Sequence, residues 1–286
     1  ADDPLTLNGT LARFRESFPQ VPVELTGPAF LALPERQSGA FARAILDFTQ
    51  EAKNMVDRRY ELVRDATGYA LSLVQASTPV PGAGEVLVRI RAVSLNRRDL
   101  GVRDLSYPVN GADHFTPLSD GAGDVVAVGP GATRWQVGDR VMSTFFQNHT
   151  GGRMTLSGVM SSLGAGGSGV FADHVILAES GLVAIPAGWT YEQAACVPCA
   201  GVTAWHALST LPALGPEATI VVQGTGGVSM FALQIARLRG ARVIVTSGSD
   251  EKRARAQALG ASHTVNYRDT PRWSKAVRAL TGGMGA

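Results

Sequence analysis

The chain has 286 residues, 45% of them hydrophobic, and a formal net charge of +2. The apolar content suffices for about two packed domains; the charge is too small and too evenly spread for nucleic-acid binding or attachment to an anionic membrane. Two cysteines exclude a disulfide scaffold, no apolar run reaches the roughly 20 residues of a membrane span, and no secretory signal opens the chain, so the expectation is a cytoplasmic protein.

Residues 1–54 stand apart in character and read as a leader. Within them VPVEL (21–25) predicts a short strand, and Pro34–Thr49 a helix with Phe41, Ile45 and Phe48 on one face. Strand patterns start again at Tyr60–Val63 and Ala70–Val74, around a turn at Thr67-Gly68. Val86–Val93 alternates apolar and charged residues and predicts a half-buried strand. Residues 121–141 and 170–186 each give two more short strands, so residues 58–185 are predicted to form a small β-barrel-like domain. The glycine-rich stretch 150–169 reads as a flexible loop inside it. From Thr190 the pattern turns helical. Cys196 and Cys199 fall in this segment as C-x-x-C, where packing explains them better than a redox site, which would open a helix at a strand end.

Residues 219–247 organise the rest. An apolar run, Thr219–Val222, leads into the turn Gly224-Thr225-Gly226-Gly227, a helical pattern (Val228, Phe231, Ile235, Leu238) and a second apolar run, Arg242–Thr246. Strand, glycine turn, helix, strand is the start of a dinucleotide-binding unit. Gly224 permits the tight turn and Gly226 lets the backbone approach a pyrophosphate. The amides of Gly227 and Val228 then face the anion at the positive end of the helix dipole. Ser229 stands where a third glycine is usual. A second helix (250–260), a third strand (263–267) and a third helix (271–283) follow, giving half of a doubly wound sheet. Residues 186–286 are therefore predicted to be the N-terminal half of a nucleotide-binding domain.

The motifs VSLNRRDL (93–100), PLSDGAGDVVAVGPG (117–131), VGDRV (137–141), PCAGVTAWHAL (198–208), VVQGTGGVSMFALQIA (221–236) and ALGASHTVNY (258–267) occur in one order and spacing. From Arg59 to Ala286 the chain resembles the medium-chain dehydrogenase/reductases, in the zinc-free quinone oxidoreductase and alcohol dehydrogenase-like branch. The resemblance implies an α/β protein with a GroES-like β-barrel domain beside a partial Rossmann doubly wound parallel sheet. It also implies that the family pattern continues past Ala286 and that a homodimer is possible. Residues 27–50 faintly resemble the last strand and helix of an α/β-hydrolase. They lack that family's histidine, and no G-x-S-x-G elbow occurs, so the segment is assigned no hydrolase activity.

Zinc-containing relatives carry a cysteine where this chain has Asn96 and a His-Glu pair where it has Ser119-Asp120; only Cys199 matches. One ligand of three cannot hold a catalytic zinc, so no metal is expected. The resemblance then implies hydride exchange between a nicotinamide and a small carbonyl, quinone or enone. Asn96 is the candidate donor to the acceptor oxygen and Thr203 the candidate contact near the reactive end of the cofactor. Asp99 is expected to orient the backbone or Arg98, and Tyr107 and Phe145 line the acceptor pocket or belong to the core. The second strand ends Thr246-Ser247-Gly248 with no carboxylate at its tip, while Lys252 and Arg253 lie close by. Hydroxyls and cations suit a 2′-phosphate, so NADP(H) is favoured over NAD(H). Lys252 and Arg253 also fit a plain solvated helix face, and Tyr267 is carried as a contact to the adenosine.

Overall fold

The computed structural model describes residues 57–285 apart from 67, 150, 212 and 213. The leader, with its expected strand and helix and the hydrolase-like stretch, lies outside the described residues. The described residues divide between Cys199 and Ala200 into two compact units.

In the first unit, β1 (Asp57–Arg64) and β2 (Tyr69–Ala76) pair antiparallel in the register the two apolar runs set. β3 (Glu85–Ser94) follows, then helix α1 (Arg97–Arg103), and β4 (His114–Phe115) adds to the other edge of β1. β5 (Asp120–Val128), β6 (Arg140–Ser143), helix α2 (Leu156–Met160), β7 (His174–Ala178), β8 (Leu182–Ala184) and helix α3 (Tyr191–Ala195) complete it. The strands make a three-stranded sheet, β2-β1-β4, and a five-stranded sheet, β7-β3-β5-β6-β8. An isolated bridge pairs Arg59 of β1 with Ala172, two residues before β7. Tyr60 and Leu62 of the first sheet, Val86, Val88, Ile90 and Val125 of the second, and Phe171 share one core. Each such side chain contributes roughly 2 kcal/mol on burial.

Two expectations need correction here. β3 is not half-buried: its register against β5 shifts between Ile90 and Ala92, and the bulge reverses which face the next side chains take. Val86, Val88, Ile90 and Val93 enter the main core, while Ala92 packs with Ala122, Ala194 and Ala195. Nor is the glycine-rich stretch a plain flexible loop. It carries α2, capped by the Thr155 hydroxyl, which accepts from the Gly158 amide at 3.1 Å.

A five-residue π-helical turn, Val197–Gly201, spans the division and runs into helix α4 (Val202–Ser209) of the second unit. β9 (Thr219–Gln223), α5 (Gly227–Leu238), β10 (Arg242–Ser247), α6 (Asp250–Ala258), β11 (His263–Asn266) and α7 (Trp273–Leu280) then alternate. The three strands are parallel in the order β11-β10-β9. Ile244 and Val265 pack with Val277 and Trp273 of α7. Val243 and Val245, on the opposite face by strand alternation, are buried as well. That two-sided burial is why β10 reads as an unbroken apolar run. Among the described residues, no helix is long and apolar enough to cross a membrane.

Candidate active site

Two sites emerge, one in each unit. In the first, the antiparallel pairing of Ser94 with Asp120 sets the end of β3 beside the start of β5. Asn96 is the extended residue that opens α1. Its amide donates to the Asp99 carboxylate at 2.6 Å, and the Asp99 amide donates back to the Asn96 carbonyl at 3.0 Å. Asp99 thus fixes the backbone of the turn. Asp120 is fully buried; one carboxylate oxygen accepts from the Ser119 hydroxyl at 2.6 Å and the other from the Cys199 amide at 3.0 Å. Asn96 faces the same carboxylate, yet its Nδ2 is buried without a hydrogen bond of ordinary geometry.

Burial dominates the electrostatics. It pushes the Asp99 carboxyl up to about 7 against the pull of the Arg98 charge and the Asn96 amide. It pushes Asp120 up to about 6 against the Ser119, Asn96 and Cys199 donors. It raises the Cys199 thiol well above its usual range, with Asp120 and Asp99 adding to the shift. A metal-binding thiol must ionise, and both Asp120 oxygens already hold donors. Among the described residues, no three His, Cys, Asp or Glu side chains are grouped to hold a metal. This donor set does not fit a catalytic zinc.

Sequence reasoning named Arg98 only as a side chain that Asp99 orients. Its side chain is 7% exposed and lies 3.9 Å from Asp99. Nη1 donates to the Leu163 carbonyl at 3.0 Å, and the guanidinium lies over the rings of Tyr107 (4.8 Å) and Phe145 (4.6 Å). Nε and Nη2 are buried and have no partner. Arg97, its neighbour, is exposed. The one signal for Arg98 in the sequence is a cation beside a carboxylate in the first turn of a helix that follows a buried strand.

In the second unit, the parallel pairing brings Gly224 against the end of β10: its amide donates to the Thr246 carbonyl at 2.8 Å. Gly224 has φ +79°, the left-handed region that glycine adopts without strain. Gly226 begins the twelve-residue α5 and no side chain caps it, so the first helical amides, from Gly227 and Val228, are left for a ligand. A Cβ built on Gly226 meets nothing within 4 Å. The Thr225 hydroxyl is buried without a partner beside this open space. A pyrophosphate would supply the missing acceptor and fill the room, so these residues fit a dinucleotide. Ser229 donates to the Gln223 carbonyl at 2.9 Å, which accounts for a serine in place of the third glycine. Thr203 is exposed on the first turn of α4.

The tips of β10 and β11 are less open than expected. Ser247 is 2% exposed and its hydroxyl accepts from the Ser249 amide at 3.3 Å. Arg253 is tied to Asp250 at 2.6 Å and lies 3.5 Å from the Thr264 hydroxyl. Ser249 caps α6. Lys252 is half-buried on the same helix. The sequence reading missed Arg268. A Cβ on Gly248 would stand 2.8 Å from Arg268 Nε and 2.9 Å from the Tyr267 ring, so both side chains lie across the tip of β10.

Residues 82–187 match the alcohol dehydrogenase GroES-like domain family, and residues 227–286 match the zinc-binding dehydrogenase family. A zinc-type alcohol dehydrogenase-like protein of Schizosaccharomyces pombe is 43% identical over 204 residues, 71% of this chain and 59% of that protein. The crystal structure of a putative alcohol dehydrogenase from Sinorhizobium meliloti superposes with a TM-score of 0.75 at 41% identity, covering 82% of this chain and 69% of that one. A structure titled NAD-dependent alcohol dehydrogenase gives 0.71 at 36% identity, covering 80% and 68%. On these matches the chain belongs to the medium-chain dehydrogenase/reductase family of oxidoreductases, with its GroES-like domain and a Rossmann-like nucleotide-binding segment.

Proposed function

We propose that the chain is an NADP(H)-dependent, zinc-independent oxidoreductase acting on a carbonyl, quinone or activated alkene. One observation carries the cofactor reading: an open, uncapped helix start at Gly226 beside a buried Thr225 hydroxyl with no partner. The bound nicotinamide exchanges the hydride; the chain holds and orients it. Gly224, Thr225, Gly226, Gly227 and Val228 take the pyrophosphate. Arg268 and Tyr267 across Gly248, with Lys252, support the choice of NADP(H), since a 2′-phosphate needs cations and donors. Ser247 and Arg253 support it less, being engaged with Ser249 and with Asp250. The neighbour titled NAD-dependent stands on the other side. Zinc independence rests on Asn96 and on an Asp120 whose oxygens are already occupied by donors. Asn96 and Thr203 keep their proposed places at the acceptor oxygen and the reactive end of the cofactor.

The test is calorimetry of this chain with 2′-phospho-AMP and with AMP, which address the adenosine half-site alone. Tight binding of the phosphorylated ligand alone supports NADP(H); preference for AMP reverses the choice. The chain spans 59% of the length of the S. pombe relative; a second reading is nucleotide binding without turnover. NADPH oxidation with a quinone acceptor separates the two.

A further inference from the structure

In the second unit the turn after β11 carries Tyr267 and Arg268 across the tip of β10. Strand alternation sets up that turn. Val265 of β11 packs with Val277 and Trp273 of α7. Thr264 and Asn266 take the other face, toward α6, where the Thr264 hydroxyl lies 3.5 Å from Arg253 Nη1. Asn266 is the last residue of β11 and pairs with Ser247, so it stands beside the end of β10. Its side chain is engaged in two directions. Nδ2 donates to Asp250 Oδ1 at 3.1 Å, and Oδ1 accepts from the Arg268 amide at 3.0 Å. The Asn266 carbonyl closes the same turn by accepting from the Thr270 amide at 2.9 Å. The backbone from which Arg268 reaches across Gly248 is therefore anchored on Asn266. Arg268 itself is exposed, so an anion can reach it from solvent.

Asp250 is the other end of the link. It lies two residues past Gly248, where a bare carboxylate would repel a phosphate. Its Oδ1 accepts from Arg253 Nη2 at 2.6 Å as well as from Asn266. The Arg253 guanidinium, with Asn266 adding less, holds the Asp250 carboxyl below its usual range. Asn266 thus joins a pinned and charge-matched carboxylate to the turn that carries Arg268.

We infer that Asn266 is a positioning residue for cofactor selection: it acts through Arg268, holding that guanidinium across Gly248 for the 2′-phosphate of NADP(H). The inference rests on the NADP(H) reading above. The group recognised is a phosphate ester on the ribose, which takes charge-assisted hydrogen bonds. Without the Asn266 side chain the turn keeps its Thr270 bond, but the Arg268 backbone loses its anchor. The guanidinium then samples more positions, and ordering it on the phosphate costs conformational entropy. AMP, which has no 2′-phosphate, does not draw on Arg268.

The test is calorimetry of the parent chain, Asn266→Ala, Arg268→Ala and the double variant, each with 2′-phospho-AMP and with AMP. Asn266→Ala is expected to weaken 2′-phospho-AMP about tenfold and AMP less. In the double variant the phosphorylated ligand should bind as weakly as in Arg268→Ala alone, because one residue acts through the other. Losses that multiply in the double variant overturn the inference. So does an unchanged ratio of the two affinities in Asn266→Ala, since an asparagine that only supports the fold would lower both together. Should Asn266→Ala not fold, hydrogen exchange of the Arg268 amide in the parent chain reads the same bond. Slowing by 2′-phospho-AMP beyond that by AMP is expected there, and equal slowing overturns the inference. A parent chain that prefers AMP, or binds neither ligand, overturns the NADP(H) reading and the inference with it. A parent that prefers 2′-phospho-AMP while the variants fail these expectations overturns the role of Asn266 alone.

Discussion

Asp99 and Asp120 show how burial sets chemistry at a single residue. Both carboxyls begin at 3.8 and are raised in the fold, to about 7 and about 6, chiefly by desolvation. Between about pH 4 and pH 7 the folded chain binds protons that the unfolded chain has released. Stability must therefore fall as pH rises through that window. Asp99→Asn keeps an oxygen for the Asn96 amide and removes one ionisation. Its thermal midpoint is expected to depend less on pH between 4 and 7 than that of the parent, with the gain largest above pH 7. An identical pH profile in the variant would mean that Asp99 does not carry the effect. None of this was legible in the sequence. Arg98 donates to the Leu163 carbonyl, 65 residues away, and no local pattern encodes such a contact. Asn96 and Asp120 were singled out only because a family motif marked their positions.

At the scale of elements the sequence spoke more clearly. β9, β10 and β11 stand where short apolar runs lie between turn residues, and the hairpin of β1 and β2 follows two matched runs. What alternation concealed was the bulge in β3, since one extra residue reverses the period. The π-helical turn at Val197–Gly201 and helix α2 were hidden by proline and glycine, which read as breakers. The contact across the tip of β10 was hidden for another reason: Gly248 belongs to one element, while Tyr267 and Arg268 follow the next. Gly248→Ala is expected to push both side chains away and to weaken 2′-phospho-AMP about tenfold, the loss of one charge-assisted hydrogen bond. AMP affinity should fall less, through Tyr267 alone, and the thermal midpoint should hardly move. Equal weakening of AMP would place the damage in the fold rather than at the phosphate.

For the molecule as a whole, the ligand response should be local. The proposed nucleotide contacts cluster at the carboxyl ends of three parallel strands, where ligands of open α/β sheets bind. Hydrogen exchange of the chain with and without 2′-phospho-AMP is expected to slow at Gly224–Val228, at Ser247–Ser249 and around Tyr267 and Arg268. Slowing confined to residues 57–199 would reject that placement.

The bare tip of β10 has an evolutionary meaning. In most dinucleotide folds the side chain that discriminates the two cofactors stands at the end of the second strand. Here Gly248, just past that end, carries only a hydrogen atom, and on the reading proposed above the discriminating chemistry comes from Arg268, just past the neighbouring strand. Cofactor preference can thus drift by changes at position 268 while the glycine turn and its neighbour stay untouched. On that reading, relatives that share the fingerprint region would be sorted by cofactor at a position some forty residues downstream of it.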